Sequence, residues 1–342
     1  MIRILNSSNM MTSIGIYSEM LQTSLSGEAE VYSLVMDRRH NTLPFPGLRI
    51  NGITLPFTNG WFINTHFPIL IFEKKLFSKG IQPNTDIIHY ASWMNYLLSG
   101  EKTTGTIHDV TIFDDKFSDP TNVPRHIKNF LRKARDFDAL ITDSETTRKK
   151  LISMGFRNKI TTIHLATPPY IRDLNAEKKK IRRELHLPTD KKIILSVGYN
   201  YKTKNLISAK EAVEMLGKDY CLASVGNNFG DFCFENLEDT TLNKIYNASD
   251  ALVLPSMIEG FGLPLIEAFT AGLPVAASNI PIFQEIAGNA AKLIEPNPED
   301  LASGLLDLLE NGEDYIQRGK KRARDFTIER FSKDVRNFFN GL

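Results

Sequence analysis

Two glutamates eight positions apart, Glu259 and Glu267, bracket a stretch suited to holding a ligand: Glu259-Gly260-Phe261-Gly262-Leu263-Pro264, with Glu267 following. The apolar run 251–254 just before it stops at Pro255 and predicts a short buried parallel strand. Pro264 suits the first turn of a helix, where its missing N–H costs nothing. Gly272 ends that helix, and Val275-Ala276-Ala277 reads as the next strand. A loop between such a strand and helix lies at the C-terminal edge of a parallel sheet. Free backbone N–H groups and the positive helix end converge there on anions. Gly260, Phe261, Gly262 and Leu263 are therefore expected to present N–H groups, with Glu259 as an acceptor in a phosphate-sized loop. Glu267, about one turn into the helix, also fits a simple partner of the helix dipole.

The cationic counterpart comes earlier. Residues 193–198 form a buried strand ended by Gly198, and Lys202 and Lys204 follow in the loop. Folded back, the two lysines could meet a diphosphate; a surface lysine pair is the alternative. Residues 220–226 repeat the strand-then-glycine form, so Gly226 is expected to line a nucleotide-base pocket. In the first half, the strand 103–107 ends in His108-Asp109. A strand-end histidine titrates near neutrality and can offer either protonation state, or it can simply satisfy loop backbone groups. His89, near the end of the strand 86–90, could face the cleft and is a weaker candidate. The strand 2–5, a small polar loop carrying Gly15, and a helix over 16–25 form another junction of low specificity. Asp114-Asp115 lack the spacing of an oxygen cage, so no metal site is expected.

The run Glu-Gly-Phe-Gly-Leu-Pro with Glu267 resembles the twin-glutamate motif of retaining glycosyltransferases of the glycogen-synthase and mannosyltransferase type (family 4-like). The likeness continues through Ala271-Gly272-Leu273-Pro274-Val275, Ser278-Asn279-Ile280, Glu285-Ile286-Ala287-Gly288 and Glu295-Pro296. It extends to Thr106-Ile107-His108-Asp109 and to Gly198 with Lys204-Asn205. The resemblance implies a GT-B fold, an α/β architecture of two facing Rossmann-like parallel-sheet domains with a cleft between them. It implies transfer of a hexose, mannose or glucose, from a nucleotide diphosphate sugar such as GDP-mannose or UDP-glucose to a glycan or lipid-linked acceptor. Anomeric configuration is retained, and neither metal nor other cofactor is required. Glu267 would take the ribose hydroxyls and Glu259 those of the donor sugar. His108 would touch that sugar near the transfer point, with Gly15 and Asp109 on the acceptor side. Two departures stand out: Tyr199 occupies a place where the family often has arginine, and the loop before Gly15 has fewer glycines. A non-catalytic nucleotide-sugar or glycan-binding module and a sugar-nucleotide epimerase are the rival readings.

The elements that must position these residues fit a chain of 342 residues, 42% hydrophobic and 24% charged, long enough for two domains. Thr167-Pro168-Pro169 marks the boundary. The expected division is 1–168 on the acceptor side, 169–322 for the nucleotide sugar, and a helix over 323–342 crossing back to the first domain. A net charge of +1 implies no general attraction to nucleic acid. Cys221 and Cys233 are expected to be reduced thiols, and no long apolar segment marks a leader or a membrane span. Cytoplasmic placement is expected. A basic amphipathic helix over 124–137 allows peripheral contact with an anionic membrane. The aromatic stretch 61–67 and the helix-like 68–77 are read chiefly as core, with a hydrophobic acceptor surface as the alternative.

Overall fold

The computed structural model describes residues 1–6, 13–35, 47–50, 53–56, 86–92, 100–113, 123–199 and 202–342. The stretches 61–67 and 68–77, together with Asp114 and Asp115, lie outside the described residues. Two compact units emerge, one of Met1–Leu165 with Glu329–Leu342, the other of Ala166–Ile328.

The first unit is built on an eight-stranded sheet. Its strands are β1 (Ile2–Asn6), β2 (Ala29–Val35), β3 (Gly47–Ile50), β4 (Ile53–Pro56), β5 (Ile87–Tyr90), β6 (Lys102–Ile107), β7 (Ala139–Thr142) and β8 (Lys159–Thr162). They lie in the order β4-β3-β2-β1-β5-β6-β7-β8. From β2 to β8 every pairing is parallel, whereas β3 and β4 pair antiparallel at the edge. The stretch 50–57 reads in the sequence as a single strand, and the structure has the β3–β4 pair in its place. Asn51-Gly52, a strong hairpin signal, separates its two strands in the sequence. The helix after β1 also begins earlier than expected, spanning Ser13–Ser24, so Gly15 is a buried helical residue rather than a loop residue.

Helix Arg125–Ala134, within the amphipathic helix expected over 124–137, buries a stripe of Ile127, Phe130, Leu131 and Ala134. Phe130 meets Tyr90 and Phe137 edge-on at 5.9 and 5.8 Å, while those two rings stack at 5.5 Å. Each pair adds about 0.5–1.5 kcal/mol to the area it buries. Helix Ile328–Asn340 packs into the same unit. Ser332 hydrogen-bonds Ser24 at 2.8 Å, Arg336 donates to the Ser24 carbonyl, and Phe331 meets Tyr17 edge-on.

The second unit holds six strands: β9 (Lys192–Val197), β10 (Tyr220–Val225), β11 (Phe232–Phe234), β12 (Ala251–Leu254), β13 (Val275–Ser278) and β14 (Lys292–Ile294). All are parallel, in the order β11-β10-β9-β12-β13-β14. Ile193, Ile194, Leu195 and all of β12 are buried, as a parallel sheet covered on both faces requires. The chain runs outward from β9 to β11, then returns past β9 to continue from β12 in the opposite direction. That reversal makes a topological switch point between β9 and β12, outside whose C-terminal ends open parallel sheets bind ligands. Both cysteine thiols are free. Among the described residues, no helix is long and apolar enough to cross a membrane.

Candidate active site

The switch point gathers most of the residues that the sequence singles out. Gly198 follows β9, Gly226 follows β10, and Glu259 to Leu263 follow β12. Lys202 and Lys204 sit on a short 3-10 turn, Lys202–Lys204, directly after Gly198. Lys202 is exposed and Lys204 half-buried. The Lys204 chain passes over Gly198, whose Cβ would stand 3.8 Å from Lys204 Cε. Its Nζ then forms an ion pair with Glu259 Oε1. The same oxygen accepts from Ser256 Oγ at 2.8 Å. The two loops are tied again where Met257 N donates to the Thr203 carbonyl at 2.8 Å. Glu259 is thus held by a cation and a hydroxyl at the mouth of the switch point. Ser256 is not singled out in the sequence, although it lies only three residues before Glu259.

Gly226 packs on its neighbour strand's end: a Cβ there would lie 3.4 Å from the Gly198 carbonyl oxygen. Asn227 turns inward and donates to that carbonyl at 2.8 Å, while Phe229 N donates to Asn227 Oδ1. Asn227 therefore braces the two glycine-ended strands. Tyr199 is 52% exposed beside them.

Gly262 opens helix Leu263–Ala271 at φ 91°, a left-handed conformation that costs an L side chain about 1–2 kcal/mol. A Cβ would also stand 2.7 Å from Cε1 of the fully buried Phe283. Overpacking of this kind costs about 1–3 kcal/mol. Gly262→Ala is expected to lower the stability of this unit by about 2–5 kcal/mol, the sum of those strains. Urea unfolding of both proteins checks this, and an unchanged midpoint would refute the loop geometry.

Glu267 lies one turn into that helix, but only 5% exposed. Tyr246 Oη, on helix Asp239–Ala248, donates to Glu267 Oε2 at 2.5 Å. Burial pushes the Glu267 carboxyl up to about 7, against the opposing effect of the Tyr246 hydrogen bond; Asp239 raises it further. Tyr246 has no signal in the local sequence, because its partner lies on a separate helix.

The first unit places His108 at the end of β6, between the ends of β5 and β7. Its Nδ1 meets Asp143 Oδ2 at 2.6 Å and its Nε2 meets the Ala91 carbonyl at 2.8 Å. A carbonyl only accepts, so Nε2 carries a proton. A second proton lies in the Nδ1–Oδ2 contact. Burial opposes a charged imidazole, but the charge and hydrogen bond of Asp143, with Ala91 and Asp109, raise the His108 pKa above its usual value. His108 as placed is a proton donor, not a base. Tyr17 meets the ring edge-on at 4.9 Å. Asp143 Oδ1 is buried and finds no hydrogen-bond partner among the described residues. Asp109 accepts from Thr111 N and Oγ1 at 3.0 and 2.8 Å, which opens the short turn Thr111–Phe113.

His89 is excluded from chemistry of this kind. It is fully buried between Thr104 and Thr106, and burial followed by the nearby His108 pushes its pKa down to about 3. Ser144 caps helix Glu145–Ser153 by accepting from Thr147 N, a role that a serine just before a helix suits.

Comparison with known proteins bears on this arrangement. Residues 231–325 match the family model described as Glycosyl transferases group 1. The chain is 27% identical over 271 residues to O-antigen chain mannosyltransferase B of Escherichia coli, covering 71% of each protein. It is 26% identical to an uncharacterized glycosyltransferase of Methanocaldococcus jannaschii, covering 77% of this chain and 75% of that one. Sucrose-phosphate synthase from Thermosynechococcus elongatus shares its fold with a TM-score of 0.76 at 17% identity, over 100% of this chain and 99% of that one. The chain is therefore related at low identity to proteins of the mannosyltransferase kind, and its two Rossmann-like units match the GT-B architecture.

Proposed function

We propose that this chain is a retaining hexosyltransferase that moves mannose or glucose from a nucleotide diphosphate sugar to a glycan or lipid-linked hydroxyl. The observation that carries this is the Lys204–Glu259 pair, set with the loop before helix Leu263–Ala271 at one switch point of the second unit. In this reading Lys204, with Lys202, and the loop amides meet the diphosphate as its charge grows. Glu259 accepts from hydroxyls of the donor sugar, Glu267 from those of the ribose, and Gly198 and Gly226 let the nucleotide approach the strand ends. His108 donates its Nε2–H to a sugar hydroxyl in exchange for the Ala91 carbonyl, and Gly15 and Asp109 belong to the acceptor side. The bond from the anomeric carbon to phosphate oxygen breaks as the acceptor oxygen bonds on the same face. The acceptor proton passes to the departing phosphate. Saturation-transfer NMR against a panel of nucleotide sugars tests donor recognition: one should receive saturation at its base and ribose protons, and silence across the panel would overturn it.

Since Lys204 and the loop amides supply the positive charge, turnover is expected to survive a strong chelator. Loss with chelator, restored by magnesium or manganese, would contradict this part of the proposal. The exposed basic face of helix Arg125–Ala134 (Arg125, Lys128, Arg132 and Lys133) is proposed to meet an anionic membrane. Sedimentation with phosphatidylglycerol vesicles should then be salt-sensitive and weakened in a Lys128→Glu/Arg132→Glu variant; no sedimentation at low salt would dismiss it.

A further inference from the structure

Glu267, proposed above as the ribose acceptor, has one of its two oxygens already taken. Tyr246 is fully buried, and its phenol lies 2.5 Å from Glu267 Oε2. Burial, followed by the charge of Glu267 and its hydrogen bond, holds the Tyr246 pKa well above its ordinary value. The phenol therefore keeps its proton and donates it. A contact this short between a hydroxyl and a carboxylate is among the stronger hydrogen bonds a protein makes. The two groups come from neighbouring helices, Asp239–Ala248 and Leu263–Ala271, so the bond fixes the Glu267 side chain from behind.

We propose that Tyr246 is a positioning residue for the nucleotide donor, holding Oε2 of Glu267 so that Oε1 is presented to the ribose hydroxyls. This rests on Glu267 being the ribose acceptor. It carries a second consequence, because the carboxyl titrates near neutrality. Below about pH 7 the protonated group is a poorer acceptor. Donor affinity should therefore weaken as pH falls through that value. Among the described residues, no cation offsets the burial. On helix Gly312–Ala323, which packs on the Glu267 helix, Lys320 is paired with Asp173. Arg322 is engaged by Asp325 and the carbonyls of Glu285 and Ile286, and Arg318 by Asp314 and the Asn289 carbonyl. Asp239, on the Tyr246 helix, pushes Glu267 in the same direction as burial, and Tyr170 acts on Tyr246.

Two measurements on Tyr246→Phe test the assignment. In the ligand-free protein, carboxyl ¹³C NMR should show the Glu267 midpoint near 7 in the parent and higher in Tyr246→Phe, which loses the donor that favours the carboxylate. An unmoved midpoint would overturn the proposal whatever ligand binds. By calorimetry at pH 7.5, with GDP and UDP and their 2′,3′-dideoxy forms, the parent should prefer one ribonucleotide over its dideoxy form. Tyr246→Phe should lose about tenfold of that ribonucleotide affinity. In a Glu267→Gln background the same change should cost nothing more, since Tyr246 acts through Glu267. A parent that treats ribo- and dideoxynucleotides alike would remove the ribose role of Glu267. A normal preference kept in Tyr246→Phe would remove Tyr246 alone. Should Tyr246→Phe fold poorly, measured by its melting temperature, Tyr246→3-fluorotyrosine provides the graded test. Its more acidic phenol should strengthen the bond and lower the Glu267 midpoint; a midpoint that rises or stays fixed would overturn the proposal.

Discussion

Lys204→Ala is expected to lower kcat/KM for the nucleotide sugar by about 10²–10³, the usual effect of removing one group that stabilises developing charge. In the proposed reaction the ammonium has two successive partners. In the ligand-free protein it pairs with Glu259, which Ser256 also holds. The diphosphate, in the proposed reaction, takes over the ammonium and leaves Glu259 to the sugar hydroxyls. Lys204→Arg keeps the charge but spreads it over a planar fork, so it should retain binding of the bare nucleotide better than turnover. Steady-state kinetics beside nucleotide Kd distinguish the outcomes. If Lys204→Ala turned over normally, Lys204 would be only the structural counterion of Glu259. Its loss would then appear in the melting temperature instead.

His108→Ala is expected to lower kcat by about 30- to 1000-fold, equivalent to roughly 2–4 kcal/mol, with little change in affinity for the bare nucleotide. The second unit alone carries the proposed nucleotide contacts. The single replacement has a second effect, because Asp143, only 3% exposed at its side chain, loses its proton-sharing partner. Breaking a buried pair by removing one member costs about 3–5 kcal/mol. Removing both partners, His108→Ala with Asp143→Ala, leaves no such charge behind and should recover most of the melting temperature. If the double variant stays slow, the Nε2–H acts in the reaction. If it regains speed together with stability, His108 only latches the ends of β5, β6 and β7.

Local patterns in the sequence specify much of the second unit. The apolar run at β12, the glycine-rich loop and Pro264 announce strand, turn and helix at the observed places, and the two glycine-ended strands β9 and β10 do the same. What the local pattern misses is contact between distant elements. Tyr246 meets Glu267 only because two helices pack together, and nothing within either helix's own sequence encodes that. Asp143 reads as one more polar residue opening a helix. Its pairing with His108 follows from β6 and β7 lying side by side, which strand order decides. The edge pair β3–β4 is a different case: Asn51-Gly52 held the signal, and the apolar run after it outweighed it. Gly15 misled in the opposite sense, since a glycine in a helix's first turn reads naturally as loop.

The central claim is that the second unit's switch point serves sugar transfer rather than binding alone. ³¹P and ¹H NMR of the chain with the nucleotide sugar chosen by saturation transfer, plus an extract supplying glycan and lipid-linked acceptors, tests it most directly. Nucleoside diphosphate should accumulate, and the new glycoside should keep the anomeric configuration of the donor, with both signals lost in Lys204→Ala. An intact nucleotide sugar, an epimerised sugar still bound to its nucleotide, or a glycoside of inverted configuration would contradict the account.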